Sequence, residues 1–246
     1  MTINKIIKKA LIIFLILGLT AVLKSGIAAQ EKQTWQVDLC TNLYSRHLWR
    51  GDQLGNAPAI EPEITLLKGN FGISLWGATT FNNSYSEIDI ILNYKVLPFM
   101  NLSFYDYYNP VQGAENKFLK YSGSELRHSF ELTADFEKDD FPFSLLAGVF
   151  LYGDKDSLTT KERFSTYIEP GYKIKIIKPD LYLFAAFTPF EGYYAKNFAF
   201  INLGATLSES FFIGKKIELP AKLSFCGNPY TNKTWLVLAV GIKNRR

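Results

Sequence analysis

From about residue 34 onward, apolar and polar positions alternate with a period of two, and no stretch sustains a 3.6-residue apolar period. Leu126 to Glu137 is the clearest case. Leu126, His128, Phe130, Leu132, Ala134 and Phe136 fall on one face, and Arg127, Ser129, Glu131, Thr133, Asp135 and Glu137 on the other. Trp35, Val37, Leu39, Thr41 and Leu43 alternate likewise with Gln36, Asp38, Cys40 and Asn42. The pattern predicts twelve strands, at 34–49, 58–67, 71–81, 86–97, 100–109, 125–137, 141–152, 163–177, 180–190, 197–208, 216–227 and 233–243. Short turns (around 68–70, 98–99, 138–140, 178–179 and 214–215) alternate with longer polar loops at 50–57, 82–85, 110–124, 153–162, 191–196 and 228–232.

An even count of strands about ten residues long, with alternating loop lengths, predicts an all-β fold, a 12-stranded antiparallel transmembrane β-barrel of the outer-membrane type. Closure is required, because lipid offers no hydrogen-bond partner to a sheet edge. The rival is a soluble β-sandwich, whose core would produce the same alternation. Loop alternation and the missing helical period select the barrel. The short turns and both termini are then expected on the periplasmic side, with the longer loops outside. Trp35, Tyr94, Phe136, Phe143 and Tyr172 should form one aromatic girdle, with Trp49 and Phe81 at the other. Pro62, Pro170, Pro189 and Pro220 fall inside expected strands and should mark bulges or lie beyond the hydrocarbon band. Ile60-Glu61-Pro62 recurs as Ile168-Glu169-Pro170, which reads as coincidence within a period-two chain or as an old six-strand duplication.

The N-terminus changes the picture of compartment. Lys5, Lys8 and Lys9 precede the apolar run Ala10–Leu23, and small residues end at Ala28-Ala29. Residues 1–29 therefore read as a cleaved signal peptide and 30–246 as the barrel. The leader holds four of the 27 Lys and Arg and none of the 23 Asp and Glu, so the remaining chain is charge-balanced. Nothing in that balance favours nucleic acid. The expected surroundings are outer-membrane lipid and the barrel-insertion machinery, with no cofactor.

Ser45-Arg46-His47-Leu48-Trp49-Arg50-Gly51 resembles the S-x-x-x-W-R-G end of the first strand in a group of uncharacterised outer-membrane proteins of Bacteroidetes-type bacteria, grouped as porins. The Pro-Glu-containing second strand and Trp76-Gly77 are similar to that group too. The resemblance implies an outer-membrane barrel and no particular substrate. Such barrels usually finish on an aromatic residue, whereas this chain ends Lys243-Asn244-Arg245-Arg246.

Candidate chemistry is sparse. Cys40 and Cys226 are too few for a disulfide framework, and two histidines, His47 and His128, cannot make a His-rich metal cluster. Ser45 and His47 share a face, as a lipid-modifying hydrolase would need, but no orienting third group is evident. The informative set is the inward face, where nine acids meet six bases. Asp38, Glu63, Asp89, Lys95, Arg127, Glu131, Asp135, Glu169 and Lys173 are the pore-lining candidates, and Tyr105, Tyr107, Tyr152, Tyr167 and Tyr182 alternate inward beside them. This reads as a passive small-solute channel without enzymatic activity. The alternative is a sealed barrel with a structural or surface-interaction role, its charges paired across the lumen. Twelve strands lie between the filled eight-stranded and the open sixteen-stranded cases.

Overall fold

A computed structural model describes residues 33–123, 126–156, 158–175 and 178–244. The leader expected at 1–29 lies outside these residues. The described residues form fourteen strands: β1 (Gln36–Tyr44), β2 (Leu48–Trp49), β3 (Asp52–Gln53), β4 (Ala59–Lys68), β5 (Phe71–Thr80), β6 (Ser86–Leu97), β7 (Met100–Tyr108), β8 (His128–Lys138), β9 (Phe141–Tyr152), β10 (Thr166–Ile174), β11 (Asp180–Thr188), β12 (Ala199–Ile213), β13 (Ile217–Asn228) and β14 (Lys233–Asn244). Twelve of them close an antiparallel barrel, and β2 and β3 form a separate two-stranded hairpin. Barrel strands neighbouring in sequence pair in order, and β1 bridges the ends by pairing with both β4 and β14.

The β1–β14 seam that closes the barrel is short, with five register pairs from Cys40↔Lys243 to Tyr44↔Ala239. Beyond them a side chain continues the ladder. Asn244 Oδ1 accepts from Leu39 N–H at 2.6 Å, and Asn244 Nδ2 donates to the Val37 carbonyl at 3.0 Å. The amide side chain supplies the donor and acceptor that a further strand residue would.

The alternation places apolar side chains outward. Leu39, Leu75, Phe225, Leu236, Leu238 and Val240 remain exposed. Six such side chains on four strands are out of place on a water-soluble sandwich, whose apolar face would be its core, and suit a surface solvated by lipid. Toward the short-turn end, Phe141, Phe143 and Tyr172 cluster through ring contacts, and Lys68 Nζ lies 5.6 Å from the Trp35 ring.

Three expectations need correction. The first strand does not continue to residue 49. It ends at Tyr44, and the next residues turn into the barrel. Of the two outcomes expected for the prolines, bulges or a place beyond the hydrocarbon band, the bulges do not occur. Pairing skips Glu61-Pro62 between Ile60↔Thr79 and Glu63↔Trp76, and skips Glu169-Pro170 between Ile168↔Phe187 and Gly171↔Phe184, with register unchanged on either side. Pro220 likewise sits in a gap between Glu218↔Lys243 and Ala221↔Val240. Each proline lacks the N–H for one of its two ladders and keeps its place in the other, as Pro62↔Thr41 does. Pro189 lies past the end of β11. Third, Tyr152 faces outward. Pairing steps from Glu131↔Phe150 to Phe130↔Tyr152, so Leu151 is an extra residue in β9, and that bulge reverses the face of Tyr152.

Candidate functional site

The chain between β1 and β4 carries the S-x-x-x-W-R-G segment and folds into the barrel at its loop end. Its centre is the β2–β3 hairpin, paired Leu48↔Gln53 and Trp49↔Asp52 around Arg50-Gly51. Both turn residues have positive φ, 50° and 83°. That is the signature of a type I′ turn, which favours Gly second and tolerates an arginine first only at a cost. At Gly51 a Cβ would lie 2.0 Å from the Ile201 carbonyl oxygen, so a glycine is needed for space as well as for φ.

The tight turn aims Arg50 at the barrel wall. Its Nη1 and Nη2 donate to Glu131 Oε1 and Oε2 at 2.5 and 2.8 Å, a bidentate pair. Nη1 also donates to the Tyr194 hydroxyl at 2.6 Å, and Tyr107 OH donates to Glu131 Oε2 at 2.7 Å. The guanidinium carbon lies 4.8 Å from the centre of the Trp49 ring and 4.6 Å from that of Tyr167. Glu131 is fully buried. Gly148 on β9 makes room for it, since a Cβ there would meet Glu131 Oε1 at 2.5 Å. Around the pair, Trp49 packs against Tyr107, Phe150, Tyr193 and Tyr194, and Tyr167, Ala186, Ala195 and Ile201 complete an apolar core inside the barrel. Tyr193, Tyr194 and Ala195 come from the loop after β11, anchored where Tyr193 N–H donates to Ser165 Oγ at 2.5 Å.

More bonds tie the inserted segment around the wall. Asn228 Nδ2 donates to the Gly51 carbonyl at 3.1 Å, and Trp235 Nε1 donates to Gln53 Oε1 at 3.0 Å. Arg46 Nη1 donates to the same Gln53 oxygen at 2.8 Å. His47 Nδ1 is 2.6 Å from Glu61 Oε1, with the ring stacked on Tyr85 at 5.2 Å. Burial raises the Asp52 carboxyl and the Tyr193 phenol above their ordinary ranges.

The nine pore-lining candidates separate by height. Glu131 and Asp89 are buried at the loop end; Glu169, half-buried, accepts from Tyr167 and, at 3.3 Å, from Tyr182 OH rather than from a cation. Glu63 accepts from Thr65 Oγ1 at 2.9 Å. Toward the short turns, Asp38 and Asp135 are half-buried, Lys95 is exposed and Lys173 pairs with Glu137. Lys95, Asn101, Asp135 and Glu137 line a cavity of about 510 Å³ at that end. Arg127 lies ahead of β8, exposed, with its guanidinium 3.4 Å from its neighbour's carbonyl. Trp49, expected in the outer girdle, is inside.

Arg50 is the residue that sequence reasoning missed. It lies beyond the end of the expected first strand, so no face was assigned to it. The signal was present in the acidic excess of the inward face, which leaves a buried carboxylate in need of a cation from a loop, and in a Gly directly after Arg50.

Ser45 and His47 serve other partners. Ser45 exchanges bonds with Leu238: its N–H donates to the Leu238 carbonyl at 2.8 Å, and its Oγ accepts from Leu238 N–H at 2.9 Å. His128 packs on the outer wall under loop residues 116–121, with Nδ1 2.6 Å from Asp106 Oδ1 and Nε2 2.5 Å from the Phe118 carbonyl. Among the described residues no group of three or more His, Cys, Asp or Glu is placed to hold a metal.

No family model and no curated protein matches the chain. Among solved structures, a KdgM porin is 9% identical, with 85% of this chain and 99% of that one covered and a TM-score of 0.49. Pseudomonas putida OprB is 9% identical over 86% of this chain and 94% of its own, with a TM-score of 0.37. An outer membrane channel from Pseudomonas putida F1 is 10% identical over 89% and 97%, with a TM-score of 0.38.

Proposed function

We propose that the protein is an outer-membrane channel for small polar solutes, with the short-turn end in the periplasm and passage controlled at the loop end by the inserted hairpin. One observation carries the reading. The interior is narrowed by a loop latched through Arg50 and Glu131, while the wall below bears charged side chains that solvent reaches. Solvated charge on the inner face suits a water-filled route, where charged side chains set selectivity. The lipid-facing leucines and aromatic clusters on the outside support the same setting. The residues that line the route are Asp38, Glu63, Asp89, Lys95, Asp135, Glu169 and Lys173, with Glu131 at the latch and Arg127 at the outer rim.

A sealed barrel with a surface role is the second reading, favoured by the complete burial of Glu131. Conductance in planar lipid bilayers separates the two. The channel reading expects small stepwise currents that rise in Gly51→Ala, where a Cβ against the Ile201 carbonyl unseats the hairpin. Heat-modifiable, correctly folded protein that carries no current in either form would overturn it.

A further inference from the structure

A cavity of about 300 Å³ opens above the latch at the loop end of the barrel. Five aromatic side chains line it: Trp49, Tyr85, Tyr107, Phe150 and Tyr193. Its charged lining is Glu87, Asp154, Lys155 and Arg163. Asp154 is taken up by Arg163, whose Nε and Nη2 donate to Oδ1 at 2.9 and 2.5 Å, and by Ser165 N–H at 3.1 Å. Lys155 Nζ lies 5.4 Å from the Tyr152 ring, which faces outward. Glu87 remains. Its two oxygens accept from neutral donors only, Tyr85 OH at 2.7 Å and Asn109 Nδ2 at 3.0 Å.

The wall below Glu87 repeats the imbalance. Asp89, two residues along the same face of β6, is 3% exposed, and its Oδ1 has no hydrogen-bond partner. On the same stretch of wall, one strand beyond β5, Glu61 of β4 is buried against His47. Three carboxylates therefore line this side against one histidine, whereas on the β8 side Arg50 balances Glu131. Buried acids without a cation are costly, and a mobile cation from solution relieves that cost. Aromatic faces around a carboxylate suit an organic cation, since the rings attract the charge and cover its alkyl groups.

We propose that this cavity binds small organic cations, alkylammonium groups above all, with Glu87 as the counter-charge and the aromatic rings as the cage. Resting on the channel reading, this names the solute class admitted from the loop end. The volume suits a compact amine rather than a polymer.

Binding is measured on the detergent-solubilised barrel, so that it does not depend on transport. The probes are n-butylammonium chloride, with n-butanol as the neutral match in size and methyl glucoside as a neutral sugar. The cation should bind, and n-butanol should bind at least about tenfold more weakly, as loss of a charge-assisted contact implies. Glu87→Gln should weaken the cation about tenfold and leave n-butanol unchanged. Tyr193→Leu should weaken it about threefold and Tyr193→Phe should not, which keeps the test informative if the Glu87 variant misfolds. Equal binding of butylammonium and n-butanol, or binding of the glucoside alone, overturns the proposal. Cation binding by a barrel that conducts nothing upholds the site and removes the channel reading; conductance without cation binding does the reverse.

Discussion

The two ends of one barrel, enclosed by the same twelve strands, have opposite interiors. At the loop end, Tyr107, Phe150, Tyr167, Tyr194 and Ile201 are packed like the core of a soluble domain, with an ion pair at its centre. At the turn end the inward side chains are small or solvated. Thr65 bonds Ser74, Ser103 bonds Asn93 and Thr206 bonds Ser224 across neighbouring strands at 2.7–2.9 Å, and the charges below them reach water. Strand number alone therefore does not decide whether such a barrel is open. What decides it here is which loops turn inward and whether the wall offers them a partner.

The largest effect is expected at Glu131. Glu131→Ala leaves Arg50 buried without its counter-charge and should cost about 3–5 kcal/mol. The double variant Arg50→Met/Glu131→Leu should recover most of that loss, because it removes both charges and keeps apolar volume. Urea unfolding in micelles, read by loss of heat-modifiable mobility, checks both. If Glu131→Ala costs less than about 1 kcal/mol, the core does not depend on the pairing and the contrast between the two ends loses its basis.

A smaller effect is expected at Gly51. Gly51→Ala forces a side chain into positive φ and against the Ile201 carbonyl, at a cost of about 1–3 kcal/mol. The hairpin should unseat while the barrel stays closed. Protease cleavage between residues 45 and 58 should become faster, with the unfolding midpoint only modestly lowered. The smallest effect belongs to the turn end. Lys173 and Glu137 form a partly exposed pair, so Lys173→Ala should change stability by about 0–1 kcal/mol. Its visible consequence is in selectivity: single-channel reversal potentials in a salt gradient should move toward cations. A loss of several kcal/mol there would mean that the turn end is packed as firmly as the loop end.

The barrel was legible because alternation is a local property of each strand. Within Leu126 to Glu137, the stretch His128 to Phe136 keeps the two faces read from the pattern, and Glu131 and Asp135 do point inward. What failed was local pattern carried past a break. Ser45, His47 and Trp49 continue the alternation of β1, so Trp49 read as a rim residue, yet the chain leaves the wall after Tyr44. Tyr152 read as inward until one extra residue, Leu151, reversed it. The partners of the carboxylates were not legible at all. Arg50 reaches Glu131 across 81 positions, and Glu169 is satisfied by tyrosines rather than by the lysines on its own face. Such pairings depend on how loops cross a closed cylinder, and no spacing in the sequence encodes that.

The anchoring of the hairpin also sets an order of assembly. It is among the first segments of the barrel to be synthesised, directly after β1. Its seats are on strands made much later: Asn228 and Trp235 lie 177 and 182 positions away. Those seats exist only once β13 and β14 have joined β1. Contacts of such long sequence separation form late, after the chain has already accepted the loss of freedom that brings its ends together. These two anchors therefore form only after the last strands are in place, whereas the latch of Arg50 to Glu131 needs no strand beyond β8. The seating of one of the earliest-made loops is thus completed by the latest-made strands, which couples the fit of the hairpin to closure of the wall.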